Sequence, residues 1–187
     1  MIPDSKYIRS GGRANPPGFA YLYLANTRET ALAEMRPWIG ESLTLAIFEI
    51  LRDIKIVLCR AGSVNSDDLV FEENPSAEQI EQRVWNEISH GFSRPINRKD
   101  PESDYLPTQI LAEAFKAEGF DGLAYQSGLE RGTNVVLFDR HCAKLIHSAA
   151  YKLRKVSYEF EGLLPYVLYD KKDGGSQQVS EIHTKSS

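Results

Sequence analysis

Arg13 is the first residue of the chain whose type and position suit binding chemistry. It stands in a glycine- and proline-rich loop, RSGGRANPPG over 9–18, directly before an apolar segment. Loops at strand ends commonly present functional side chains. A guanidinium there can hold a phosphate or a carboxylate through two parallel hydrogen bonds. The pattern alone equally describes a surface arginine, which is the more common outcome.

Tyr23 and Glu34 follow on the next two predicted elements. Tyr23 lies in an apolar predicted strand. A buried tyrosine needs a hydrogen-bond partner for its hydroxyl, and its ring could also pack against a planar base. Glu34 ends the small-residue run TALAE. A carboxylate in such surroundings is paired or partly desolvated, and it could stabilise the cationic transition state of glycosidic bond cleavage. A core tyrosine and a solvated helix glutamate are the alternatives.

Ser127 lies in YQSG at the end of another predicted strand. Tyr125 replaces the first glycine of GxSxG, which argues against the nucleophile of an α/β-hydrolase. A hydroxyl at this place could instead donate to a phosphate or a ribose, and an ordinary turn serine is the alternative. The chain also lacks GxGxxG after a strand and GxxxxGK[ST], so a nucleotide would have to bind by another architecture.

The elements that position these residues follow from the apolar patterns. FAYLYLA (19–25) predicts a strand buried on both faces, and Asn26 with Glu29 predicts a capped helix that Pro37 ends. SLTLAIFEI and IKIVLC predict two more strands. Ser76 with Gln79 predicts a second capped helix, which places Ile80, Val84, Trp85 and Ile88 inward and ends at Gly91.

A third helix is predicted from about Pro107, with Ile110, Leu111, Ala114 and Phe115 inward and Gly119 at its end. Short strands follow at 123–126 and 134–138, then further strand-like segments up to about residue 170. The order of elements predicts an α+β fold with a mixed or antiparallel sheet. Residues 171–187 have little apolar content and are predicted to form a disordered tail.

Composition excludes several classes of protein. The chain has 187 residues and a net charge of −4, so it is not built to bind nucleic acid directly. No apolar run approaches the roughly 20 residues that a membrane span needs, and the N-terminus lacks the apolar core of a signal peptide. Cys59 and Cys142 are far apart and no metal-ligand spacing occurs, so we expect a cytoplasmic protein without a metal.

Two segments together resemble the signatures of a known family. GGRANPPGFAYLYLANTRETALAE is similar to the opening signature of the RES domain, and DYLPTQILAEAFKAEGFDGLAYQSGLERGTNVVLFD is similar to its second signature. The resemblance covers roughly residues 9–140, in the family's order. It implies one RES domain over residues 1–170, with an ADP-ribosyltransferase-like fold in which two small sheets and flanking helices surround an NAD cleft.

The resemblance also implies an activity and a partner. Members are bacterial toxins that deplete NAD, releasing nicotinamide by hydrolysis or by phosphorolysis with inorganic phosphate, and some relatives transfer ADP-ribose to a protein. NAD is the substrate and no cofactor is implied. The implied partner is an Xre-like helix-turn-helix antitoxin that covers the active site, and a homodimer is left open. A non-catalytic module that binds a nucleotide or a partner is the third hypothesis.

The family's functional residues correspond to specific positions here. Its arginine, tyrosine and glutamate correspond to Arg13, Tyr23 and Glu34, which are the implied catalytic residues. Its serine corresponds to Ser127; Asn134, in the matching NVVLF strand, and Arg36, in the following Arg-Pro, are further candidates for substrate binding. Only 12 residues precede Arg13, fewer than we expect for the family, so a wall of the cleft could be missing or the chain could be a fragment.

Overall fold

The computed structural model describes residues 6, 8–60, 75–95, 102–157, 167–169 and 176–178. Internal contacts divide the chain into two compact units, Met1–Arg154 and Lys155–Ser187. The division lies closer to the N-terminus than the predicted domain end at residue 170, which stays a prediction.

The first unit contains three helices and six strands among the described residues. In chain order they are β1 (Leu22–Ala25), α1 (Arg28–Glu34), β2 (Ser42–Ile50), β3 (Ile56–Cys59), α2 (Ala77–Ser93), α3 (Leu106–Ala117), β4 (Gly122–Gln126), β5 (Thr133–Leu137) and β6 (Ala143–Lys152). Two short 3₁₀ segments, Glu102–Tyr105 and Arg140–Cys142, precede α3 and β6.

Four strands form a mixed sheet in the order β1-β5-β4-β3. β5 is antiparallel to both of its neighbours, and β4 is parallel to β3. Asn134 of β5 lies opposite Ala25 of β1 on one side and Tyr125 of β4 on the other. A residue of a strand that is paired on both sides has little freedom to move, so Asn134 is a rigidly placed side chain.

The two faces of this sheet bury separate apolar clusters. On one face Leu123, Tyr125 and Val136 pack against α2 and α3, through Phe92 and Ala112 among others. The other face contributes the second cluster, made of Leu22, Leu137, Cys142 and Ala143. Apolar residues on both faces explain why the segments of β4 and β5 have near-continuous apolar character rather than strict alternation.

A second, two-stranded sheet pairs β2 with β6 in antiparallel register, with an irregularity between Ile47 and Phe48. Directly opposite residues of an antiparallel pair share a face. Leu43, Leu45 and Ile47 of β2 therefore share a face with Tyr151, Ala149 and His147 of β6.

The helix ends agree with the sequence in part. The capping box of Ser76 and Gln79 at the start of α2 is confirmed, and Gly119, after α3, has a φ of 79°. Thr27 rather than Asn26 caps α1, since its side chain accepts from the amide of Thr30. The Asn26 side chain instead accepts from the amide of Thr133, which ties the start of α1 to β5.

Two details of the predicted helices are wrong. Helix α2 does not end at Gly91 but continues to Ser93, because a single glycine lowers helix propensity by only about 1 kcal/mol. Four of the side chains predicted to point inward are exposed, because the sheet contacts a narrower face of each helix than the apolar pattern suggests: Ile80, Val84, Ile110 and Ala114. Trp85, Ile88, Leu111 and Phe115 do pack against the core, as predicted.

The second unit contains β7 (Val167–Tyr169) and β8 (Ser176–Gln178), which pair in antiparallel register. β7 falls among the strand-like segments predicted up to about residue 170. β8 lies within the predicted tail, whose other residues are outside the described ones. The α+β class is confirmed, and the described residues form one mixed and two antiparallel sheets. Of the helices in the described ranges, none is long and apolar enough to span a bilayer.

Candidate functional site

Glu34 lies at the last turn of α1 and is held by two side chains, one from β5 of the mixed sheet and one from the turn directly after β4. Its Oε1 accepts a hydrogen bond from Ser127 Oγ at 2.7 Å and another from Asn134 Nδ2 at 2.6 Å. Ser127 Oγ also accepts from the amides of Leu129 and Glu130, which fixes the turn after β4. The structure therefore brings together three of the predicted site residues.

Both donors to Glu34 are neutral, and both reach the same oxygen. Among the described residues no hydrogen bond to Glu34 Oε2 is found. Hydrogen bonds to an ionised group are stronger than neutral ones. The carboxylate is thus fixed in position through Oε1 by side chains that do not neutralise its charge.

Tyr23 connects the site to the Arg13 loop. Its hydroxyl donates to Asn15 Oδ1 at 2.6 Å and accepts from the amide of Ala14 at 3.0 Å. A Cβ at Gly12 would lie 2.6 Å from this hydroxyl, so the loop can pass here only with glycine at that position. Burial raises the pKa of Tyr23 to about 12, so its hydroxyl is neutral near pH 7.

Tyr23 is 41% exposed, although the sequence predicts that both faces of its strand are buried. The reason is that the ring borders a cavity rather than the core. Its hydroxyl faces the loop while the ring remains accessible.

Arg13 lies in the predicted loop, but its guanidinium donates hydrogen bonds to backbone carbonyls. Nη1 donates to the carbonyl of Gly91 at 3.0 Å, and Nη2 donates to that of Arg94 at 2.6 Å, at the C-terminal end of α2. Thr108 of α3 donates to the carbonyl of Arg13 itself at 2.7 Å. Arg13 thus ties its loop to two helices, and it is not among the described residues that line the cavity.

Arg36 is exposed and also stands outside the cavity lining in the described part of the chain. Its φ is 45°, in the left-handed region that L-residues rarely adopt. Pro37 disfavours the helical conformation for the residue before it, which accounts for the end of α1 at this point. The roles implied for Arg13 and Arg36 stay predictions.

The cavity has a volume of about 520 Å³ and lies between the two sheets. Its walls come from β1, from one face of α1, and from β2 and β6, with Tyr125 and Asn134 contributed by the mixed sheet. Ligand sites of small molecules typically measure about 300–1,000 Å³. The volume and the mixed polar and apolar lining suit a substrate of nucleotide size.

Most of the other lining residues were not identified from the sequence as site residues, among them four with charged, basic or aromatic side chains: Tyr125, Arg28, His147 and Tyr151. Tyr125 was noted only as the residue that breaks GxSxG, and Arg28 was not singled out. His147 and Tyr151 lie four residues apart on β6. Their spacing of four residues on a strand was the available signal, because it places both on one face.

Tyr125 lines the cavity together with Asn134 and Glu34. Burial raises the pKa of the Tyr125 hydroxyl. The Tyr125 ring packs on Phe92 at a centroid distance of 5.6 Å. A carboxylate held in a fixed position can stabilise a positive charge that develops next to it.

The arrangement can stabilise a cation next to Glu34 and can hold a planar group against Tyr23. No group of three or more His, Cys, Asp and Glu side chains with the geometry of a metal site occurs among the described residues. Cys59 and Cys142 are both buried and free.

Comparison with known proteins agrees with the similarity noted in the two signatures. The family model of the RES domain matches residues 3–160, which include every site residue discussed above. Comparison with curated proteins finds no match.

Proposed function

Because the chain belongs to the RES domain family, we propose that it is the NAD-cleaving toxin of a bacterial toxin–antitoxin system. Membership associates the chain with NAD-related enzymatic toxins. The finer proposal is that this protein breaks the bond between nicotinamide and ribose. Two small sheets on either side of a cavity support an ADP-ribosyltransferase-like arrangement.

The observation that carries the proposal is the anchoring of Glu34 at the cavity wall. Its Oε1 is held by Ser127 and Asn134, while Oε2 has no partner among the described residues. The free oxygen can accept a hydrogen bond from the 2′-hydroxyl of the nicotinamide ribose. The negative charge then lies close to the ribose carbon that becomes positive.

The reaction proceeds by heterolytic cleavage. The C1′–N bond breaks, its electron pair leaves with nicotinamide, and the positive charge passes from the pyridinium ring to the ribose as an oxocarbenium ion. An oxygen of water then bonds to C1′ and releases a proton to solvent, which gives ADP-ribose. Inorganic phosphate attacking in place of water gives ADP-ribose 1″-phosphate. Glu34 stabilises the cation throughout.

The remaining site residues have supporting roles in this proposal. Tyr23 presents its ring to the nicotinamide, and the neutral state of its hydroxyl keeps its bonds to the Arg13 loop intact. Ser127 and Asn134 orient Glu34. Arg13 fixes the loop behind Tyr23, and a direct contact of Arg13 or Arg36 with substrate is the alternative that the family's pattern implies.

The test compares Glu34→Gln with Glu29→Gln. Both residues lie on α1, but Glu29 is exposed and is not among the described residues lining the cavity. We expect Glu34→Gln to lower the rate of nicotinamide release from NAD by about 10²–10³ fold, as the loss of one electrostatic partner typically does. Glu29→Gln should retain the wild-type rate. Full turnover by folded Glu34→Gln would contradict the role of Glu34.

The same assay distinguishes the fates of the ADP-ribose. NAD labelled in its adenosine part is incubated with the protein, with and without phosphate and with cell lysate. Label in ADP-ribose indicates hydrolysis, label in its phosphate ester indicates phosphorolysis, and label in a macromolecule indicates transfer. Binding of NAD without release of nicotinamide would indicate a non-catalytic module.

An Xre-like antitoxin is proposed as the partner that blocks the cavity. Directly after α1 the chain exposes three large apolar side chains, Met35, Trp38 and Ile39, and Met35 lines the cavity. Apolar side chains that cluster at a surface commonly mark a protein interaction site. Suppression of nicotinamide release by the purified antitoxin would support this part of the proposal, and unchanged release in a formed complex would contradict it.

A further inference from the structure

Helix α1 presents one narrow face to the cavity. Arg28, Ala31 and Glu34 line it and are spaced three residues apart, as neighbours on one side of a helix are. A helix rises about 1.5 Å per residue, so the backbones of Arg28 and Glu34 are about 9 Å apart along the axis. Ala31 between them has a small side chain, which leaves room for a ligand along this face.

Arg28 crosses from α1 to the opposite wall. Its guanidinium carbon lies 5.3 Å from the centroid of the Tyr151 ring on β6. Stacking on an aromatic ring holds a guanidinium in place. Its N–H groups point outward in the guanidinium plane, so they can still donate hydrogen bonds. In the described part of the chain, Arg28 makes neither a hydrogen bond nor an ion pair to another residue.

Arg13 differs from Arg28 in this respect, because both of its terminal nitrogens donate to backbone carbonyls. His147 is the other basic residue in the lining. It lies four residues from Tyr151 on β6, about 13 Å along the strand, too far to share a small anionic group with Arg28. Arg28 is therefore the lining side chain best suited to pair with a phosphate at its end of the cavity.

We propose that Arg28, stacked on Tyr151, binds the pyrophosphate of the substrate and so selects dinucleotides over unphosphorylated nucleosides. The assignment rests on the proposed function, since it takes NAD as the ligand and places its reacting ribose at Glu34. In NAD the pyrophosphate is attached to the same ribose at C5′, one sugar away from C1′. The proposal places it at Arg28, which lines the cavity two helical steps from Glu34 on α1. A guanidinium can donate two parallel hydrogen bonds to phosphate oxygens.

The test compares Arg28→Gln with Arg60→Gln, a change of the same kind at an exposed arginine outside this cavity. We expect Arg28→Gln to raise the KM for NAD at least tenfold and to change kcat less than threefold. Arg28→Lys should recover part of the lost affinity. Tyr151→Phe, which keeps the ring, should behave as wild type, and Tyr151→Leu should raise the KM.

Binding of ADP, measured by calorimetry, separates this proposal from the proposed function. ADP should bind Arg28→Gln at least tenfold more weakly than wild type or Arg60→Gln, and adenosine should bind all three equally or none. Equal ADP affinities, or no ADP binding by wild type, would overturn the assignment even if NAD is cleaved. If wild type releases no nicotinamide, the proposed function fails, and the ADP comparison still decides the role of Arg28.

Discussion

At the scale of single residues, the site is organised around one oxygen of Glu34. Ser127 and Asn134 approach it from a turn and from a strand, so the position of the carboxylate is defined by the sheet as well as by its own helix. Glu34 is exposed to solvent. An exposed glutamate has many rotamers, and its two partners remove most of that freedom before substrate binds.

Ser127→Ala tests this arrangement. The variant removes one of the two donors to Glu34 Oε1. A hydrogen bond to a charged group contributes about 1.5–3 kcal/mol, so we expect kcat to fall by about ten- to a hundredfold, less than for Glu34→Gln. The measurement is steady-state release of nicotinamide.

The double variant Ser127→Ala with Glu34→Gln provides the control. Residues that act together give non-additive effects, so Ser127→Ala should add little to the loss that Glu34→Gln causes alone. Fully additive losses would show that Ser127 acts on the substrate independently of Glu34.

At the scale of elements, Arg13 connects the loop before β1 to the end of α2. The last carbonyls of a helix lack partners within the helix, and Arg13 supplies donors to those of Gly91 and Arg94. The same loop holds the hydroxyl of Tyr23. The end of α2 and the tyrosine at the cavity are therefore positioned by a single side chain and its loop.

Arg13→Gln should accordingly lower stability. We expect a loss of about 1.5–3 kcal/mol in the free energy of unfolding, since two hydrogen bonds from a charged donor are removed. Arg94→Gln is the matched control, because Arg94 forms an exposed ion pair with Asp104 at 3.9 Å and such pairs contribute about 0–1 kcal/mol. Urea denaturation measures both. Wild-type stability of Arg13→Gln together with lost turnover would instead assign Arg13 to the substrate.

The sequence predicted most elements, because their signals are local. The capping box of Ser76 and Gln79 and the apolar strands around 123–126 and 134–138 depend on residues close together in the chain. Local signals do not determine the pairing of the strands. For example, β1 pairs with β5, which lies more than a hundred residues later in the chain. The two-sheet arrangement was expected only from the family resemblance.

The sequence predicted part of the candidate site. The resemblance named Glu34, Ser127 and Asn134, which the fold does bring into contact. It could not show that Arg13 donates to helix carbonyls, because that contact depends on where α2 ends. Arg28 was missed because an arginine in a first helical turn is ordinary, and only the opposite strand gives it a role.

At the scale of the whole molecule, burial of tyrosines makes stability depend on alkaline pH. Burial raises the pKa values of Tyr21, Tyr23 and Tyr125, that of Tyr23 to about 12, whereas a tyrosine in an unfolded chain has a pKa of about 10. Below pH 10 these side chains are neutral in both states. As pH rises above 10, the unfolded chain ionises first, so stability falls.

The midpoint of urea denaturation should therefore decrease between pH 9 and 11.5. Tyr125→Phe removes one of the groups that ionise preferentially in the unfolded state, so its midpoint should decrease less steeply over the same range. Equal slopes for the two proteins would contradict the burial of the Tyr125 hydroxyl. Circular dichroism at each pH would report the folded fraction.

The pairing of β1 with β5 has a consequence for the timing of synthesis. Tyr23 and Glu34 emerge early from the ribosome, but their partners in β5 and at Ser127 lie about a hundred residues later. At the usual elongation rate of about 5–20 residues per second, the carboxylate lacks its anchors for about 5–20 seconds. A nascent or prematurely terminated chain therefore has no assembled site, and a cell is exposed to the activity only after translation has passed β5.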